Sequence, residues 1–149
     1  MSQEKFNTKD FIENMNTVAL MIFKAFDSSL NVDYSLDELY LIEKEFGKRW
    51  HNTDVKAFTT YLPFGYILGE TIVRNIPGSK WNYDEEINNV FDVSISVPVK
   101  TDGDEEQTYM KIYPIVRVRK FHKDREDRLT TMYWMVDMLS KYTNDELLR

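Results

Sequence analysis

Phe64-Gly65-Tyr66-Ile67-Leu68-Gly69-Glu70-Thr71-Ile72-Val73-Arg74, with Trp81 close behind, is the stretch that organises the reading of this chain. Gly65 and Gly69 stand one helical turn apart in an apolar helical pattern, where each glycine costs about 1 kcal/mol against alanine. They share a helix face, and their missing side chains let a second backbone or a flat aromatic ring approach closely. Glu70 sits beside that bare face, one turn before Arg74, at the spacing of a helical ion pair. Desolvated near Trp81, its carboxyl would be pushed up toward general acid or base use. Bonded to Arg74, to the Trp81 indole N–H or to backbone amides, it would be structural. The sequence favours the structural role, because perturbed carboxylates also serve structural networks. Tyr66, Glu70 and Trp81 are therefore the candidate binding residues, on a motif built by Gly65, Gly69 and Arg74.

Upstream, Thr8 or Asn7 can cap a first helix to about Phe26, with Phe11, Met15, Val18, Ile22 and Phe26 at helical spacing. Ala19, Leu20, Met21 and Phe23 widen that stripe, which predicts deep burial of its second half. Ser35 followed by Glu38 forms a capping box, with Tyr34 and Leu39 as its staple, for a second helix whose apolar face is Leu36, Leu39, Ile42 and Phe46. Gly47 is the expected stop. A third helix opens at Thr53 or Asp54 and ends near Asn75, before the Pro77-Gly78 turn. Pro63 makes it either one kinked helix or two abutting ones.

Beyond Trp81 the period changes to two. Phe91, Val93, Ile95, Val97 and Val99 alternate with polar residues or Pro98, which predicts a strand. The segment from Lys100 to Glu106, centred on Asp102-Gly103, predicts a hairpin loop. A returning strand is expected over 107–120, with Met110, Ile112, Val116 and Val118 on one face and Tyr109, Lys111, Tyr113, Arg117 and Arg119 on the other. A short strand at 80–84 pairs at the edge. A last helix begins near Asp124 with Leu129, Met132, Val136 and Leu139 inward and Trp134 and Met135 widening that face. The fold class is α+β: N-terminal helices, then a small antiparallel sheet of about three strands, closed by a C-terminal helix. One domain over 1–149 is expected, with 1–6 and 143–149 frayed.

The net charge of −6 argues against nucleic acid or an anionic membrane as partner and makes a basic protein the easier one to accommodate. Cysteine is absent, which excludes disulfides and thiolate metal sites. The polar opening Met1-Ser2-Gln3-Glu4-Lys5 lacks a signal-peptide pattern, and no apolar run is long enough to span a membrane, so a cytoplasmic location is expected.

Local chemistry is sparse. His51 and His122 lack a second histidine at ligand spacing and fall in expected loops, as solvated residues. There is no G-x-S-x-G elbow and no glycine-rich phosphate loop, and no cofactor or metal is expected. The run Asp102-Gly103-Asp104-Glu105-Glu106 lacks calcium-loop spacing and reads as a charged hairpin tip. Lys111, Tyr113, Arg117 and Arg119, continued by Lys120 and Lys123, resemble an oligonucleotide-binding strand face. Asp92, Ser94 and Ser96 opposite, and Asp124, Glu126 and Asp127 after it, favour internal pairing instead.

Val32-Asp33-Tyr34-Ser35-Leu36-Asp37-Glu38-Leu39, then Gly65 to Ile72, then Trp81 and the Pro114-containing hairpin resemble a pattern in small uncharacterised bacterial domains: a D-x-S-x-x-x-L helix, a G-x-x-L-G-E-x-I helix, a tryptophan and a β-hairpin. The resemblance implies a cytoplasmic bacterial domain of unknown activity, with some immunity-like members encoded near toxins, and it carries over no catalytic residue. Two functions follow as expectations. The first is a non-catalytic interaction or immunity-type protein with an acidic surface; the alternative is a small-molecule-binding or enzymatic domain with its pocket near Glu70 and Trp81. Homo-oligomerisation is left open by the sequence.

Overall fold

The computed structural model describes residues 7–50, 57–103, 106–124 and 128–147. Three helices come first: α1 (Thr8–Phe26), α2 (Leu36–Trp50) and α3 (Ala57–Asn75). The strands β1 (Lys80–Trp81), β2 (Ile95–Val99) and β3 (Thr108–Ile112) follow, and then α4 (Pro114–Lys123), α5 (Leu129–Lys141) and the short α6 (Asn144–Leu147). The class is α+β, with more helix after the sheet than the single closing helix expected.

Asn7, rather than Thr8, caps α1: its side chain accepts from the Asp10 amide at 3.2 Å, and Thr8 is buried in the first turn. Deep burial of the second half of α1 holds for Ala19 and Phe23, whereas Leu20 and Met21 face solvent, because α1 packs chiefly against α3. At the start of α2, Ser35 Oγ accepts from the Glu38 amide at 3.2 Å. The Glu38 carboxylate reaches past Ser35 to the amides of Tyr34 at 2.8 Å and Asp33 at 3.1 Å. That bonding holds Tyr34 at φ 56°, in the left-handed region where a side chain normally costs 1–2 kcal/mol. Gly47 does not end α2, which runs on to Trp50; a helical glycine costs only about 1 kcal/mol.

Of the two readings of Pro63, the single helix is found: α3 runs unbroken through it. The missing backbone donor is offset by burial of Tyr61, Leu62, Phe64, Ile67 and Leu68 around it. The expected opening at Thr53 or Asp54, and His51, lie outside the described residues. Central in the fold, α3 touches α1, α2, α4, β1 and β2.

The sheet is antiparallel in the order β1-β2-β3, with Trp81 opposite Ile95, Ile95 opposite Ile112 and Val97 opposite Met110. Those side chains share the face turned to the helices, and Ser96, Pro98, Tyr109 and Lys111 the outer face. The strand expected from Phe91 starts later. Asn89 accepts from the Phe91 amide at 3.0 Å and winds Val90–Asp92 into a 3₁₀ turn.

The largest correction concerns 107–120. β3 ends at Ile112, and Pro114 opens a helix at its first turn, where its missing N–H is no loss and its fixed φ is already helical. Ile115, Val118, Phe121 and His122 then recur at helical spacing and are buried. Val116 and Val118, expected on one strand face, are therefore helical residues. α5 begins at Leu129 rather than near Asp124, since Asp124 ends α4. Glu126 and Asp127, like Asp104 and Glu105, lie outside the described residues. Trp134 and Met135 do not widen the inward face of α5. The buried residues are Leu129, Thr130, Met132, Tyr133 and Val136, and Trp134 and Met135 are exposed.

Candidate functional site

Helical periodicity in α3 brings Gly65, Gly69 and Glu70 toward two different neighbours. A Cβ at Gly69 would lie 2.6 Å from Trp81 Cζ2, so the indole rests on bare backbone. A Cβ at Gly65 would lie 2.9 Å from Ile115 Cα, so this second glycine admits the start of α4 rather than a strand. Pro114 thus sits next to the residue that fills the Gly65 notch. It belongs to packing and has no place beside Glu70.

Tyr66, Glu70 and Trp81 do converge. The Tyr66 and Trp81 rings stack with centroids 6.0 Å apart and planes 4° from parallel, and Phe11 meets Trp81 edge-on. Glu70 Oε2 accepts from Trp81 Nε1 at 2.9 Å, and Oε1 accepts from Arg74 Nε at 2.9 Å. The Arg74 guanidinium also lies over the Tyr34 ring, 4.5 Å from its centroid. Asn16 Oδ1 accepts from the hydroxyls of both Tyr34 and Tyr66, each at 3.1 Å. Burial pushes both hydroxyls above the ordinary tyrosine range, Tyr66 far above it, and the Glu70 carboxylate adds to the rise at each. These are neutral donors in a satisfied network.

Above this network runs an open groove of about 380 Å³, walled by Ile12, Glu13 and Asn16 of α1, by Glu70 and Arg74 of α3 and by Tyr83 after β1. It continues into a second section of about 370 Å³ that adds Lys9 and Asp84. Tyr83 is half exposed, and its hydroxyl is pushed up by burial and then by the Glu70 and Glu13 carboxylates beside it. Glu13 and Asp84 have no ion-pair partner among the described residues. Asn16, Tyr34, Glu13, Tyr83 and Asp84 were missed in the sequence. Asn16 left one signal, a polar residue one turn after Ile12 on the edge of the α1 stripe.

The basic strand face expected over 111–119 is divided by the fold. Lys111 on β3 pairs with Glu85 at 2.6 Å rather than with Asp92, while Arg117 and Arg119 ride on α4. Arg119 covers the Phe91 ring at 4.3 Å. His122, expected in a solvated loop, is buried in α4, where Nδ1 lies 2.7 Å from the Tyr61 hydroxyl and the ring meets Phe46 edge-on. Among the described residues no helix is long and apolar enough to cross a membrane, and no cluster of three metal-ligating side chains occurs. Comparison with family models, with curated proteins and with solved structures finds no match to this chain.

Proposed function

We propose that this chain is a non-catalytic protein-interaction domain, of the immunity-like kind, that receives a basic partner along the groove between α1, α3 and β1. One observation carries the reading: Glu13, Glu70 and the Tyr83 hydroxyl draw together at the mouth of an open groove. Carboxylates that share a groove with an aromatic side chain suit a lysine or arginine, through charge and through cation–π attraction. The net charge of −6 would steer such a partner inward. Glu70 accepts one hydrogen bond at each oxygen, from Arg74 and from Trp81, which favours the structural role for it over that of a general base and leaves acceptor capacity toward the groove.

The test is titration with an eight-residue arginine-rich peptide, followed by aromatic fluorescence and by calorimetry. Glu13→Lys and Asp84→Lys should each weaken binding at least tenfold, whereas Asp102→Lys, the same charge change at the hairpin tip, should weaken it by less than twofold. Equal losses in all variants would reduce the effect to net charge and overturn the groove reading.

A further inference from the structure

Helix α5 is apolar on both sides, and the fold covers only one. Leu129, Met132, Tyr133 and Val136 are buried against α2 and the sheet. On the opposite side, within an arc of about 100° at 3.6 residues per turn, stand Trp134 at 59% exposure, Met135 at 56%, Met138 at 42% and, at the helix end, Tyr142 at 47%. Tyr40 of α2, 54% exposed, extends the patch: it and Trp134 wall one notch of about 340 Å³ between the two helices. A helix apolar all round is normally buried all round, and contiguous exposed Trp, Tyr and Met is the composition of an interface core.

We propose that this face is a homodimer interface in which α5 packs antiparallel against α5 of a second copy, with Met138 near the two-fold axis. Two features favour a second copy. The first is area. About half of each of five large side chains, at roughly 200 Å² apiece, is about 500 Å² per copy and about 1,000 Å² for the pair, which is where specific interfaces begin. The second is self-complementarity. Antiparallel packing about Met138 sets Trp134 of one copy on Tyr142 of the other, the two methionines between them. It also brings Lys141 of one copy to the end where Asp37 of the other lines the Trp134 notch. Asp37 has no partner among the described residues, and Lys141 is 56% exposed, held only by Asp137 one turn back at 3.0 Å. The groove that would receive a basic partner lies on α1, α3 and β1, so the two surfaces are independent.

Sedimentation velocity on the full chain tests this. The wild type is expected to shift from monomer to dimer between about 1 and 100 μM, with Trp134 emission moving to the blue as it is buried. Trp134→Glu or Met138→Glu should abolish the shift while leaving the circular dichroism and melting temperature of the monomer unchanged. Asp37→Lys and Lys141→Glu should each weaken the dimer at least fivefold, and the double exchange should restore it. A wild type still monomeric at 100 μM would assign the face to a different protein and overturn the proposal. So would a dimer untouched by Trp134→Glu, and dimers of unchanged strength in both single charge variants would overturn the antiparallel seating.

Discussion

The corner around Trp81 and the outer face of α5 are made from the same materials, a tryptophan with tyrosine and aliphatic neighbours, and they end in opposite states. At the corner a glycine removes the obstacle beneath the indole, a glutamate takes its N–H, and the rings stack until Tyr66 and Trp81 are almost wholly enclosed. On α5 no neighbouring element among the described residues supplies a floor, and Trp134 stands in solvent. An aromatic residue is thus placed by what its neighbours leave out as much as by its own hydrophobicity.

The contrast is broken most forcefully at the two tryptophans. Trp81→Ala should cost about 3–5 kcal/mol, the penalty for emptying a buried aromatic site, and it also strips Glu70 of a donor. Trp134→Ala, measured by urea unfolding of the monomer, should fall within about 0.5 kcal/mol of wild type. Comparable losses at both positions would end the distinction.

Next come the glycines. Alanine should stabilise an exposed helix by about 1 kcal/mol, yet Gly69→Ala would drive a methyl into a ring held on three sides and Gly65→Ala would drive one into the Ile115 backbone. Each should therefore lose about 1–3 kcal/mol in denaturant melts, as overpacked sites do. A gain at either position would show that the contact is slack.

The smallest effect per step is alkaline. An unfolded tyrosine ionises near pH 10, whereas Tyr34 and Tyr66 hold their protons above that because burial opposes the charge. The unfolded chain therefore releases protons first. Their contribution is intact below about pH 10 and is lost as pH rises toward the folded values, by at most about 1.4 kcal/mol per pH unit for each hydroxyl. Absorbance at 295 nm should show these two phenols ionising together with unfolding rather than before it.

What could be read in advance was local. The Ser35 and Glu38 cap, the Gly69 notch and the bonds from Glu70 to Arg74 and Trp81 all join near neighbours in sequence or follow from one helix period. The strand-to-helix change at Pro114 was hidden because Met110, Ile112, Val116 and Val118 also alternate like a strand. In α5 the spacing of Leu129, Met132 and Val136 gave the covered face, while the apolar Trp134 and Met135 on the other side read as its extension. Asn16 and Tyr34 entered the site through tertiary contacts that no local spacing announces.

The Tyr61 and His122 pair has a practical consequence. The chain has two histidines, and the His122 imidazole is buried across the α3 and α4 junction. Its ring protons give nuclear magnetic resonance a native reporter of that junction, shifted by the surrounding Phe46 and Tyr61 rings. The docking of α4 can be followed at a single resonance, without a label.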